Sequence, residues 1–269
     1  MTRVALVLLV TLACGTAAAQ TPSVAELLQV ARRQSAAGTP AAALETLRAA
    51  RTLAPNAEEV LSAYAQMAIA SRAPMAAVGA LEPLVRMCPT VAQYHYMLGV
   101  AYMQAGANPA SVDALRSAEK LDPDNARILA ALGIALNAGK LHGEAQPVLA
   151  RSIELEPENI EALAALAEAE ESLGNPRASE HVARALAADP THATANYVLG
   201  LIRMREQQYA DARDALLRAL TSDPQMARAH YQASLAYSRL GDETEAQAHV
   251  ERYQQLMQAL EEASRKLRR

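Results

Sequence analysis

From about residue 24 onward the apolar residues fall three and four apart, the spacing of one helix face, in stretches interrupted by short polar links. Gln104-Ala105-Gly106-Ala107-Asn108 and Leu173-Gly174-Asn175-Pro176 are two such links. Every second break carries a proline: Pro55, Pro89, Pro123, Pro157, Pro190 and Pro224, spaced 34, 34, 34, 33 and 34 residues apart. Most of them close the same phrase, as in Leu121-Asp122-Pro123 and Leu155-Glu156-Pro157. Proline cannot continue a helix and pushes the residue before it out of the helical region, so each marks a stop. The pattern therefore predicts pairs of antiparallel helices, each of about three and a half turns.

Aligned on the prolines, seven units begin near Val24, Glu58, Ala92, Ala126, Ile160, Ala193 and Ala227. The eighth residue of each is small: Ala31, Ala65, Gly99, Gly133, Ala167, Gly200 and Ser234. The twentieth is small as well, at Ala43, Ala77, Ser111, Ala145, Ala178, Ala212 and Ala246. Four positions further on stand larger apolar residues, Leu47, Leu81, Leu115, Leu149, Val182, Leu216 and Val250. Small residues let two helices approach closely and the larger ones fill the space left, which predicts normal packing density without bulky aromatics. Unit seven lacks a closing proline, Gln258 standing where one is due, so its second helix is expected to run on to about Leu267. Val250, Tyr253, Met257, Leu260 and Leu267 would form one apolar stripe, with Glu251, Arg252, Gln255, Gln258 and Glu262 facing away.

The 34-residue period, Leu98-Gly99 followed by Tyr102, Leu132-Gly133, the small twentieth residue and the terminal proline resemble the tetratricopeptide repeat over roughly residues 24 to 253. The resemblance implies an all-α fold, a right-handed α-solenoid of seven helix pairs with a C-terminal capping helix. One departure is the fourth position, where the family's large aromatic is replaced by Leu27, Leu61, His95, Leu129, Leu163, Asn196 and His230.

Residues 1–19 read as a signal peptide, and residues 20–269 as a single solenoid. Arg3 is followed by the apolar run Val4–Ala13, and Ala17 and Ala19 give a small-x-small cleavage pattern. The run is short for a bilayer span, so no transmembrane segment is expected. Thr11-Leu12-Ala13-Cys14 weakly resembles a lipobox, leaving lipid attachment at Cys14 as an alternative. Removal of the signal would leave Cys88 as the one cysteine, which excludes an internal disulfide. It reads as a small buried hydrophobe.

Composition narrows the function. The 269 residues are 51 % hydrophobic and 20 % charged, so the chain is no disordered segment. The aromatic content is 3 %, all Tyr, which argues against a sandwich or barrel. A net charge of −4 gives no overall attraction to nucleic acid. None of the common catalytic or nucleotide-binding motifs occurs, and His95, His142, His181, His192, His230 and His249 are scattered among the units, so neither enzyme, cofactor nor metal is expected. Glu168, Glu170 and Glu171 read as a solvated acidic helix face.

The resemblance implies a concave groove lined by the second, fifth, ninth, twelfth and thirteenth residues of each first helix. In this chain those are Gln93, Tyr96, Val100, Met103 and Gln104 in unit three, and Arg127, Ala130, Ile134 and Asn137 in unit four. Unit six supplies Tyr197, Leu201, Met204 and Arg205, and unit seven Arg228, Tyr231, Leu235, Ser238 and Arg239. Glu161, Glu168 and Glu171 would form an acidic step between an apolar middle and an arginine-bearing end. No lysine stands at any fifth position, so a clamp for a C-terminal carboxylate is not supported. The expected function is a non-enzymatic scaffold of the bacterial cell envelope that holds a protein or peptide in this groove. The alternatives are a regulatory or substrate-presenting arm for an enzyme on another chain, such as a glycosyltransferase, or an outer-membrane lipoprotein of pilus or envelope assembly.

Overall fold

A computed structural model describes residues 22–267, and among these the chain is all-helical, fourteen helices with no strand. The signal-like segment, its cleavage position and Cys14 lie outside the described residues, as does the Leu267 side chain. The first helices of the hairpins are α1 (Val24–Ala36), α3 (Glu58–Ala70), α5 (Ala92–Gln104), α7 (Ala126–Ala138), α9 (Ile160–Ser172), α11 (Ala193–Arg205) and α13 (Ala227–Leu240). Their partners are α2 (Pro40–Leu53), α4 (Pro74–Met87), α6 (Asn108–Leu121), α8 (His142–Leu155), α10 (Ala178–Ala188), α12 (Tyr209–Ser222) and α14 (Glu243–Leu267). Each helix packs on its chain neighbours, and successive first helices also touch, which is the arrangement of a helical repeat solenoid.

Local signals set these boundaries. Ser23 and Glu26 form a capping box at the start of α1. Proline occupies the first turn of α2, α4 and α6, where its missing N–H costs nothing. Each hairpin link contains one left-handed residue: Gly38, Arg72, Gly106, Lys140, Gly174, Gln207 and Gly241. Glycine adopts that conformation freely, whereas Arg72, Lys140 and Gln207 hold it against their own Cβ.

The core interlocks small against large. A Cβ on Gly99, Gly133 or Gly200 would collide with the side chain of Leu115, Leu149 or Leu216 respectively. Those three leucines are fully buried. All seven small residues at the twentieth position are buried too, and Ser111 there donates from Oγ to the Gly99 carbonyl at 2.8 Å. The missing aromatics at the fourth position are replaced in two ways. Leu27, Leu61, Leu129 and Leu163 are buried. The polar substitutes reach back to the proline that closes the previous unit: His95 Nε2 lies 2.9 Å from the Pro89 carbonyl, Asn196 Nδ2 donates to Pro190 at 2.9 Å, and His230 Nε2 lies 3.2 Å from Pro224. A carbonyl at a helix end is thereby satisfied.

Three expectations are corrected. Residues 162–170 of α9 are all buried, including Glu168 and Glu170, so this is no solvated acidic face. Alanine at five of those nine positions lets α9 pack directly against both α7 and α11. The stripe on α14 is only partly covered: Val250 and Tyr253 are half-buried, Met257 and Leu260 are 37 % and 57 % exposed, and the buried residue of these turns is Leu256, outside the expected stripe. With 25 residues against 14 in α13, α14 outruns its partner, and its last turns project. Cys88 is half-buried.

Two outcomes test this packing. Gly133→Leu should destabilise the protein by about 1–3 kcal/mol or more through overpacking. Gly143→Ala, in open space on α8, should stay within about 0.5 kcal/mol of wild type in denaturant unfolding. The second concerns the last hairpin, where His230 Nδ1 and His249 Nδ1 stand 2.9 Å apart and Tyr237 stacks on His249. One ring must donate and the other accept, so at least one is neutral. Burial lowers both pKa values; the His230 charge lowers that of His249 further, against Glu245, while for His230 Arg252 works against the Pro224 carbonyl and Asp223. Because the folded values lie below the unfolded ones, the unfolded chain takes up protons first on acidification. This contribution to stability is therefore lost as pH falls through about 6.5. Imidazole titration by NMR should place both midpoints below about 6.5, and a higher midpoint for His249 would contradict the geometry.

Candidate functional site

Successive odd-numbered helices from α1 to α13 touch one another while successive even-numbered ones do not, which puts the odd-numbered helices on the inner side of the array, and the residues expected there divide by environment. Gln93, Arg127, Arg205, Arg228 and Arg239 are exposed. Tyr96, Val100, Met103, Ile134, Leu201 and Met204 are half-buried, and Tyr231 and Leu235 are 46 % and 38 % exposed. Asn137 and Tyr197 depart from expectation, at 6 % and 7 % exposed. Asn137 is spent on repeat stacking: Nδ2 donates to the Ala165 carbonyl at 2.7 Å, and Oδ1 faces His142 Nδ1 at 3.2 Å. Tyr197 is covered by Arg228, whose guanidinium sits 4.4 Å from the ring centroid. Arg127 lies over Tyr96 in the same register, 5.8 Å from its centroid. An arginine at the second position therefore caps a tyrosine at the fifth position of the preceding unit, twice along the groove.

The charges are arranged in depth. Arg228 Nη1 pairs with Glu168 Oε1, so unit seven reaches across unit six to unit five. Arg205 Nη2 lies 2.5 Å from Glu171 Oε2. In both pairs the carboxylate side chain is sunk, at 11 % and 9 % exposed, while the arginine side chain remains 43 % and 46 % exposed. Burial pushes the Glu171 pKa up, with Arg205 acting in the other direction. Glu161, at the rim, lies 3.1 Å from His192 Nε2; their hydrogen bond lowers the Glu161 pKa and raises that of His192. Of the expected acidic step, Glu168 and Glu171 are thus covered by arginines, while the Glu161 side chain stays 71 % exposed with His192 buried beside it. Glu170 faces away from the groove, 2.7 Å from His181 Nδ1.

Two hollows lie along this face. One, of about 540 Å³, has Ile134, Tyr197 and Leu201 beneath Lys140, His142, Glu161 and Arg228. The other, of about 670 Å³, lies at the N-terminal end between α1, α3 and α5, with Leu28, Met67, Gln66 and Tyr94 in its wall. There Arg32 Nη2 pairs with Glu59 at 2.6 Å, and the Tyr94 hydroxyl donates to Glu58 at 2.6 Å. Burial, followed by the Glu58 carboxylate, pushes the Tyr94 pKa up to about 12, so it remains a donor. Sequence reasoning passed over this end, although Leu28 and Gln66 occupy the same fifth and ninth positions that mark the groove elsewhere. Among the described residues no cluster of three or more His, Cys, Asp or Glu could hold a metal ion, and no helix is long and apolar enough to cross a membrane. What the face offers is contact area and charge for binding.

A family model described as tetratricopeptide repeat matches residues 65–126, 96–160, 165–227 and 197–259. No curated protein matches the sequence. Among solved structures the chain is similar to one described as the APC/C hetero-tetramer Cut9-Hcn1, with a TM-score of 0.66 at 17 % identity; the match covers 80 % of this chain and 42 % of that one. A tetratricopeptide repeat protein from Parabacteroides merdae gives a TM-score of 0.62 at 14 % identity, covering 79 % of this chain and 84 % of that one. YrrB, described as a TPR protein with an unusual peptide-binding site, gives 0.52 at 20 % identity, covering 69 % and 96 %. At these identities the likeness is one of fold.

The environments of the tyrosines make a sharp contrast. Tyr197→Ala should cost roughly 3–5 kcal/mol, as for other buried aromatics. Tyr231→Ala should stay within about 0.5–1 kcal/mol, because its ring is already half in water. Equal losses in thermal or denaturant unfolding would show that the exposure assigned to Tyr231 is wrong.

Proposed function

The chain belongs to the tetratricopeptide repeat family, and on that premise we propose that it is a non-enzymatic scaffold of the bacterial cell envelope that holds a protein or peptide in its concave groove. The fold is that of a protein–protein interaction scaffold. The observation that carries the reading to the groove is the run of incompletely buried apolar side chains along one face. Tyr96, Val100, Leu201, Met204, Tyr231 and Leu235 keep surface in water although the core beneath them is closed. Partly exposed apolar side chains in unit three and in units six and seven, with charged groups between and beside them, suit a binding face. Tyrosine suits the task because it offers a large, rigid contact with a hydrogen-bonding tip. YrrB, of the same fold, is described as having a peptide-binding site, which is consistent with this use of the face.

Placement in the envelope rests on Arg3, the Val4–Ala13 run and the small residues to Ala19, read as a signal peptide that leaves a mature chain starting near Gln20. Mass spectrometry of the mature N-terminus separates this from lipid attachment at Cys14.

The test pairs folding with capture. In the double variant Tyr96→Ala/Tyr231→Ala, recovery of partner from the envelope fraction should fall at least about tenfold, since interface aromatics commonly carry about 2 kcal/mol each. Melting should change far less than in Tyr197→Ala. Full capture by a well-folded double variant would remove the groove from the reading. Deleting residues 1–19 should leave a folded protein in the cytoplasm, because α1 begins at Val24; unaltered export of that deletion would refute the signal.

A further inference from the structure

Of the six histidines, four face a partner of another kind: His95 the Pro89 carbonyl, His142 Asn137, His181 Glu170 and His192 Glu161. The other two meet each other. His230 lies in the first turn of α13 and His249 in the second turn of α14, and their Nδ1 atoms stand 2.9 Å apart. The scatter of histidines along the sequence hides this pair, because the hairpin brings together residues 19 positions apart. The Pro224 carbonyl fixes where the protons sit. A carbonyl oxygen only accepts, so the His230 Nε2 that faces it at 3.2 Å carries the hydrogen, and Nδ1 of the neutral ring presents a lone pair. His249 then donates from its own Nδ1. A backbone carbonyl behind the far nitrogen is the support that metal-ligating histidines commonly have. Tyr237 stacks on His249 with the ring centroids 5.5 Å apart, and both histidines keep part of their surface in water.

We infer that His230 and His249 form a two-histidine site for a late transition metal ion, copper(II) above all, held by the two Nδ1 atoms with water in its other positions. Two nitrogens bound at about 2.05 Å and at a right angle lie about 2.9 Å apart, whereas tetrahedral ligands need about 3.3 Å. The observed spacing suits a square-planar or tetragonal ion better than tetrahedral Zn(II), and copper leads the affinity order of the divalent ions. On binding, the rings turn so that both lone pairs converge on the metal, and the proton on His249 Nδ1 moves to its Nε2. Each ring stays neutral and no proton is lost overall. Burial lowers both imidazole pKa values, which favours the neutral, ligating form at neutral pH. The surrounding charges are mixed: Asp223 acts on His230 and Glu245 on His249, while Arg252 opposes them at His230. In the described conformation Glu245 supplies charge but no third ligand. A bound ion ties α13 to α14 and stabilises the folded chain by mass action. The site stands or falls independently of the groove reading.

The probe is Cu(II), added to the full mature chain in a non-coordinating buffer at about pH 7.5, where the imidazoles are unprotonated. In NMR spectra, substoichiometric Cu(II) should broaden the ring signals of His230 and His249 before those of the other four histidines. Electron paramagnetic resonance should show two ring nitrogens on one copper. By calorimetry, His230→Gln and His249→Gln should each weaken the tightest site at least about tenfold, and Zn(II) should bind wild type at least about tenfold more weakly than Cu(II). Copper should raise the melting temperature of wild type and leave that of either variant unchanged. Broadening that begins at another histidine, a copper spectrum with a single ring nitrogen, or equal affinity in wild type and a well-folded His249→Gln variant overturns the site. Both spectroscopic measurements use the wild-type chain, so they decide the matter even where a variant fails to fold.

Discussion

The closest approach of two helices within each hairpin is the constraint from which the rest follows. With neither Phe nor Trp in the chain, the hairpins cannot be wedged together by large rings. They are held instead by a leucine or valine of the second helix, or in three units by a leucine seated where a glycine of the first helix presents bare backbone. Such contacts are short-ranged, and dispersion falls away within a fraction of an ångström. Each hairpin therefore has a narrowly defined thickness, and the odd-numbered helices come into line as one concave wall. In α9 the same logic reaches its limit, with alanines on several sides and neighbours on each of them.

That alanine-rich helix also explains the electrostatics of the wall. An alanine surface leaves room for neighbouring helices to close in, and Glu168, Glu170 and Glu171 are carried under with it, while Glu161 at the start of α9 stays exposed. A buried carboxylate needs a partner, and the arginines of units six and seven supply one each. The consequence is a stratified surface with acid below and base above. Its outward character is opposite to what the local count of charges suggests.

The sequence makes the fold class legible because the repeat is written in residue size as well as hydropathy: the small eighth residue and the large twenty-fourth are chemically complementary and separated by a fixed interval. The groove is legible in outline for the same reason, since its positions inherit that register. What escapes is pairing across repeats. Arg228 and Glu168 are 60 residues apart, far outside any helical window, and a scan for neighbours at three or four residues finds Glu168 among other acids and calls it solvated. A tyrosine likewise looks the same in sequence at Tyr197 and Tyr231; the difference is an arginine one unit later for the first, and the end of the stack for the second. Asn137 is misread because its amide serves the backbone of the next unit. The extension of α14 is legible from the missing proline, but what lies opposite its last turns is not, because α13 has already ended.

The bridge from unit seven to unit five has a mechanical meaning. In an array where each hairpin touches its neighbours alone, energies add along a line, and either end can unzip without consulting the rest. A tie that skips a unit breaks that rule: unit six cannot peel from unit five without also straining the contact of unit seven. The last three hairpins should thus behave as one stiff block and the first ones as a softer spring, so that bending of this superhelix is concentrated toward its N-terminal end.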